Sequence, residues 1–212
     1  MELAPLSGSE PEYNPDLWNI RPEIRGSHNC YAYAMQYISP DATEQCAEKR
    51  RNGKTPTERK CSTPQPGHAS GHIRMKYTPI KKCHDITART IDDNMGIHPI
   101  TFEQKCPIGT SKIALVVDEA HDYHYYRQDS NGYWSHKPGR NNVTNLDASG
   151  QLITDPRFAS RDYTRDGASD LNYKDFCGFF CVPRGHQMNL VAGAKKTRKT
   201  RRGRRHLSRK TS

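Results

Sequence analysis

The chain has 212 residues, 33% of them hydrophobic, and its mean hydropathy of −0.97 is polar for a globular protein. No apolar run approaches the roughly 18 residues of a membrane span, and the N-terminus lacks the regions of a signal peptide, so we expect no membrane contact and no secretion. Ten of the 33 Lys and Arg lie in residues 195–212 without any acid, so residues 1–194 are formally neutral.

The N-terminal residues 1–27 contain four prolines and few apolar side chains. This composition predicts an extended lead-in that wraps the domain and is anchored by Leu17, Trp18 and Ile20. We therefore divide the chain into this lead-in, one domain over residues 28–185, and a C-terminal segment.

Helical patterns occupy the first half of the domain. Residues 30–38 place apolar side chains at i, i+3, i+4 and i+7, which predicts an amphipathic helix with Ser27 or Asn29 as its N-cap. Residues 41–81 suit a short helix followed by a long irregular loop. Residues 81–97 predict another helix, with three inward side chains: Ile86, Ile91 and Met95.

Strand patterns dominate the second half. The clearest is a β-branched run over residues 112–118, which predicts a central strand. Further strands are predicted at residues 122–128, 133–139, 150–155 and 175–183. The chain is therefore predicted to be α+β, with a helical N-terminal half packed on a small antiparallel sheet.

Asn131-Gly132 predicts a hairpin, but two registers remain open. A two-residue loop would point His124 and His136 to opposite faces of the hairpin. A three-residue loop over residues 130–132, with a G1 bulge at the glycine, would instead place His124, Trp134 and His136 on one face.

The seven cysteines stand at positions 30, 46, 61, 83, 106, 177 and 181. Free thiols are expected in a reducing compartment, whereas three disulfides and one free thiol would fit an oxidising one. We expect the reduced state, because the protein is predicted to be intracellular, in a nuclear or virion-associated setting.

Cys30 is the strongest candidate for chemistry. A thiol in the first turn of a helix lies near the positive end of the helix dipole, which favours the thiolate. The candidate base is His124, oriented by His136 or Asp129. The alternatives are a buried structural cysteine and a zinc site built from His121, His124, Cys177 and Cys181.

This order of a helix-start cysteine, a histidine-bearing strand and a strand reading GYW resembles papain-like and transglutaminase-like thiol enzymes. The resemblance implies that fold, with Cys30 as nucleophile and His124 as base. His136 stands where those enzymes carry Asp or Asn. The segments NCYAYAM, PQPGHASG, DYHYYRQDSNGYWSHKPG and FCGFFCVP also resemble a set of bacterial and large-DNA-virus proteins, a resemblance that implies no particular activity.

The leading prediction is thus a thiol hydrolase or acyltransferase, a cysteine peptidase acting on a protein or peptide substrate. Its catalytic residues would be Cys30, His124 and His136, with Asn29 and Trp134 near the oxyanion or substrate, and no metal or cofactor. The alternative is a non-catalytic virion or nucleic-acid-associated protein.

The segment 186–212 is predicted to be a disordered basic tail. Its cations would bind DNA, RNA or acidic protein in a salt-dependent, sequence-blind manner. The predicted contacts are Lys195, Lys196, Arg198, Lys199, Arg201, Arg202, Arg204 and Arg205.

Overall fold

A computed structural model describes residues 2–165, 167, 169–185 and 190. The predicted basic tail, Leu190 apart, lies outside the described residues. The helices are α1 (Asp16–Asn19), α2 (Pro22–Ser27), α3 (Cys30–Ala34), α4 (Pro40–Asn52) and α5 (Cys83–Asp93), with a 3₁₀ turn at Met75–Tyr77. The strands are β1 (His98–Ile100), β2 (Thr110–Asp118), β3 (Asp122–Gln128), β4 (Trp134–His136) and β5 (Asp175–Pro183).

The strands form one antiparallel sheet in the order β1-β5-β2-β3-β4. Strand β2 is central, and residues 111–117 within it are buried, because side chains from both faces of the sheet are covered. The α+β class with an antiparallel sheet is confirmed.

The two faces of the sheet have different coverings. The helix face packs against α3 and α5, and its core includes Cys30, Tyr31, Ile86, Ile113, Leu115, Val117, Tyr123 and Tyr125. The loop face is covered by connecting segments, and its core includes Ala4, Phe102, Ala114, Val116, Tyr126, Trp134, Ile153, Tyr173 and Phe179. Alternation along β2 and β3 separates these two sets, since successive side chains of a strand point to opposite faces.

The helices are shorter than the sequence pattern predicts. Helix α3 ends after five residues, with Gln36 in the left-handed region at φ 55°. Helix α5 buries Ile86 completely but stops at Asp93, so Met95 is 91% exposed and its predicted inward position is wrong.

The lead-in lies against the body. Trp18 is buried, as predicted, whereas Leu17 and Ile20 are exposed and do not anchor the segment. Hydrogen bonds from β3 hold it: the Gln128 side-chain amide donates to the Ala4 carbonyl at 2.8 Å.

The predicted strand at residues 150–155 is wrong. Leu146 and Leu152 form only an isolated bridge, because Asp147 between them closes a turn. Its Oδ1 atom accepts hydrogen bonds from the backbone N–H groups of Ser149 at 2.8 Å and Gln151 at 3.0 Å. Such local side-chain contacts compete with extension of a ladder.

Six cysteines form disulfides, so the expectation of seven free thiols is wrong. The pairs are Cys46–Cys61, Cys83–Cys177 and Cys106–Cys181. The second joins the start of α5 to β5, and the third joins the segment after β1 to β5.

Among the described residues, no helix combines the length and apolar character that a bilayer crossing requires.

Candidate functional site

Cys30, the free cysteine, lies at the start of α3 and is 4% exposed. Its Sγ atom is 4.0 Å from the carbonyl oxygen of Tyr123, at the limit of a weak hydrogen bond. Burial and the nearby Asp122 carboxylate raise the pKa of Cys30 to about 12, since both disfavour the negatively charged thiolate. The short helix beneath the thiol therefore does not produce an activated nucleophile.

The hairpin between β3 and β4 adopts the three-residue register. The backbone N–H of Asp129 donates to the Tyr133 carbonyl at 2.9 Å, and that of Gly132 donates to the Asp129 carbonyl at 2.9 Å. Gly132 has φ 87°, a conformation that glycine adopts without strain. His124 and His136 consequently share the loop face.

The two histidines form a buried hydrogen-bonded pair. His136 Nε2 is 2.9 Å from the Leu146 carbonyl oxygen, which can only accept, so this nitrogen carries the proton. In the neutral ring, His136 Nδ1 then accepts from His124 Nε2 at 2.7 Å. Burial lowers the pKa of His136 to about 4 and that of His124 well below its ordinary value, with the neighbouring ring adding to the latter effect. Both rings are neutral at physiological pH.

Cys30 and His124 lie near one another without a hydrogen bond between them. Cys30 packs on the helix face with Tyr123, whereas the His124 ring contacts Tyr126 and Tyr173 on the loop face, at centroid distances of 5.1 and 5.4 Å. Both residues border one pocket of about 280 Å³. In the described part of the chain, however, no hydrogen bond joins the thiol to the imidazole.

Asp129 is also committed elsewhere. Its Oδ1 atom accepts from Arg127 Nε at 2.9 Å and from Arg127 Nη2 at 2.8 Å, and both side chains are 1% exposed. The guanidinium stacks on the Tyr33 ring, 4.0 Å from its centroid, and donates to the Tyr33 hydroxyl at 2.7 Å. Asp129 therefore orients an arginine and not a histidine.

Asn29 and Trp134 serve the fold. Asn29 caps α3 by accepting from the Ala32 N–H at 3.3 Å, and its amide donates to the Pro64 carbonyl at 2.9 Å. Trp134 is fully buried and packs against Phe179 at a centroid distance of 5.5 Å.

No group of three or more His, Cys, Asp or Glu side chains within the described ranges is arranged to hold a metal ion. The zinc alternative also loses two of its proposed ligands, because Cys177 and Cys181 are both in disulfides. The predicted tail contacts, from Lys195 to Arg205, lie outside the described residues.

Sequence reasoning missed the cationic rim of the pocket. Lys76, Lys81 and Arg140 line it together with His121. These residues come from three separate segments, so no single run of basic residues in the sequence predicts that they lie together. A signal was available only in the excess of basic over acidic residues between positions 49 and 82.

Comparison with known proteins shows kinship with a matrix protein. The chain is 35% identical over 170 residues to Insoluble matrix shell protein 1 of Ruditapes philippinarum, and the alignment covers 80% of this chain and 88% of the relative. The chain belongs to the family of this shell matrix protein. No family model and no solved structure matches the chain.

Membership in the family of a matrix shell protein corrects the predicted function. The prediction of a thiol hydrolase or cysteine peptidase with a peptide substrate is wrong, because the relative is an insoluble matrix shell protein. The raised pKa of Cys30 agrees with this correction. The expected virus setting finds no support in the relative. The three disulfides disagree with an intracellular location, since such bonds persist in oxidising compartments. The non-catalytic alternative is favoured.

Proposed function

We propose that the protein is a non-catalytic structural component of an insoluble extracellular matrix. The observation that carries this proposal is the 35% identity to a matrix shell protein across 80% of the chain. A fold shared over that length brings the same core and the same scaffold to both proteins, although it does not by itself transfer a substrate or partner.

The described body has the properties of a durable scaffold. Disulfides with sequence separations of 94 and 75 residues close long loops onto β5, and these restrict the unfolded chain strongly. The free thiol is buried and remains protonated at neutral pH, so it resists both oxidation and disulfide exchange.

The basic tail supplies the second part of the proposal. Residues 195–212 carry ten cations and no acid, so they attract polyanions through charge alone. In an extracellular matrix the ligands would be acidic macromolecules, and the same charge would retain DNA or RNA in vitro.

Sequential extraction tests the location. Antibodies against the chain would follow it through cell lysate, neutral washes of the extracellular material, chelator and denaturant, with thiols alkylated at each step. We expect the protein in the insoluble extracellular residue, with six of its seven cysteines oxidised. Recovery in the cytosolic fraction with seven reduced thiols would overturn the proposal.

A second experiment tests the tail. Truncation after Gly193 would be compared with a full-length variant in which the eight predicted contact cations are replaced by Gln. Both should lose the salt-sensitive retention of polyaspartate and of duplex DNA while keeping the melting temperature of the parent. Unchanged retention would mean that the body, and not the tail, binds polyanions.

A further inference from the structure

The body contains a basic groove that the matrix kinship does not explain. The pocket of about 280 Å³ beside Cys30 adjoins a second pocket of about 270 Å³, and the two share Thr63, Gln65 and Arg140 as lining residues. We call these two pockets the basic groove. Five cations line it, namely Lys60, Arg74, Lys76, Lys81 and Arg140.

The positive charge of the groove is offset only in part by its own lining. Asp122 is the single carboxylate among the lining residues, and burial raises its pKa. None of the five cations has a carboxylate oxygen within 4.0 Å among the residues that the structure describes. Since residues 1–194 carry no net formal charge, this cluster is a local concentration of positive charge on an otherwise balanced surface.

The walls of the groove are held in place before any ligand arrives. Arg140 Nη2 donates to the Cys61 carbonyl at 2.6 Å, and Cys61 is fixed to α4 by its disulfide with Cys46. Gln65 accepts from the Met75 N–H at 3.0 Å, which ties the two sides of the loop together. A site that is already ordered loses little conformational entropy on binding, so more of the interaction energy with a ligand appears as affinity.

The remaining lining is rich in hydroxyl and amide groups. Thr57, Ser62, Thr63 and Gln65 provide neutral donors and acceptors beside the cations. Tyr123, the one tyrosine, phenylalanine or tryptophan in the lining, is 5% exposed and offers no free ring face on which a base could stack. This combination suits a ligand that carries many hydroxyl groups and several anions.

We infer that the basic groove binds an anionic polysaccharide. The sulfate or carboxylate groups would pair with the five cations, and the sugar hydroxyls would bond to the threonine, serine and glutamine side chains. This inference rests on the proposed matrix function for its choice of ligand, but it concerns the body of the protein and not the tail.

Matched charge reversals in the full chain test the inference. Lys60→Glu with Lys76→Glu changes one exposed cation in each pocket. The Lys76 ammonium also lies over the exposed Tyr77 ring, 4.6 Å from its centroid, a contact at the surface that the fold does not depend on. The control is Lys105→Glu with Lys174→Glu, which makes the same change in net charge at exposed positions outside the groove. The probes are dextran, dextran sulfate and carboxymethyl dextran of equal length, with polyaspartate and duplex DNA for comparison.

We expect the groove variant to bind the anionic dextrans about tenfold more weakly than the parent, equivalent to about 1.4 kcal/mol. The control variant should stay within about twofold of the parent, a difference small beside one charge-assisted contact. Stronger loss for dextran sulfate than for carboxymethyl dextran would identify sulfate as the preferred anion, and the reverse would identify carboxylate.

Two results would overturn the inference. Equal losses in the groove and control variants would show that net charge alone drives binding. Equal losses for polyaspartate or DNA and for the dextrans would show that the groove recognises charge and not sugar. Neither result bears on the extraction experiment, so failure here is separable from failure of the proposed matrix role.

Discussion

The two faces of the sheet differ in what covers them and in which titratable groups they bury. The helix face is covered by α3 and α5 and keeps Cys30 protonated among tyrosines, whereas the loop face is covered by connecting segments and holds a neutral histidine pair. Cys30 and His124 border one pocket, but no hydrogen bond joins them among the described residues. An enzyme-like order of residues in a sequence therefore does not establish a catalytic site.

The largest expected loss of stability comes from removing the two disulfides that end on β5. Cys83→Ala with Cys177→Ala frees the helix face, and Cys106→Ala with Cys181→Ala frees the loop side. Chain-entropy arguments predict a loss of about 4 to 5 kcal/mol in the free energy of unfolding for either pair. Denaturant titrations of both variants measure it. A much smaller loss in one of them would mean that the two faces unfold separately.

Asp129→Ala should cost about 3 to 5 kcal/mol, because it leaves the Arg127 guanidinium buried without its counter-charge. Urea unfolding measures the loss. The matched variant combines Arg127→Met with Asp129→Asn and removes both charges, so it should lose less than the single substitution. If the double variant is the less stable of the two, the charge pair is not the cause.

The loop face should be sensitive to acid. The pKa of His136 in the folded protein is about 4, below the ordinary value of about 6.5, so between these values the unfolded chain binds a proton that the folded chain does not. The free energy of unfolding should therefore decrease as the pH is lowered from about 6.5 to about 4, by about 3 kcal/mol for this ring.

The matched variant for acid sensitivity is His124→Gln with His136→Asn, which retains polar groups that do not titrate. Chemical denaturation between pH 7 and pH 4 should show a shallower decline in the variant than in the parent. Some decline will remain, because burial also lowers the pKa of His28 to about 4. Parallel curves for parent and variant would contradict the assignment of acid sensitivity to the pair.

Cys30→Ala should have the smallest effect, a loss of about 1 kcal/mol from removing one buried sulfur. In the parent, iodoacetamide at pH 8 should leave Cys30 unlabelled until denaturant is added, since the thiolate is scarce and covered. Mass spectrometry of the alkylated peptides measures this. Selective labelling of the folded protein below pH 7 would contradict the buried, protonated thiol.

Strong local patterns made part of the fold predictable. Strands β2, β3 and β5 follow continuous runs of β-branched and aromatic residues, and their bounds agree closely with prediction. Strand β1 was missed because His98–Ile100 has three residues with a proline at its centre. The hairpin register needed the observed turn, since the sequence suits either loop.

The candidate site was harder to predict, because it depends on contacts between distant segments. Sequence spacing cannot pair Cys83 with Cys177, nor assemble Lys60, Lys81 and Arg140 around one groove. It also cannot show that Asp129 is already occupied by Arg127. The sequence identifies residues that can carry charge or form disulfides, but the tertiary structure decides which residues they contact.

Asp93, at the end of α5, joins three parts of the molecule. Its carboxylate accepts hydrogen bonds from the Tyr31 hydroxyl at 3.0 Å, the Gly67 N–H at 2.7 Å and the Ser70 N–H at 2.8 Å. The loop that carries Gly67 and Ser70, helix α3 and helix α5 are therefore held by one carboxylate. Amide hydrogen exchange at residues 67 and 70 should report sub-global opening rather than local fraying. A ligand bound in the groove would then raise the free energy of unfolding of the whole body, so a protein assembled into a matrix would unfold less often than the free protein.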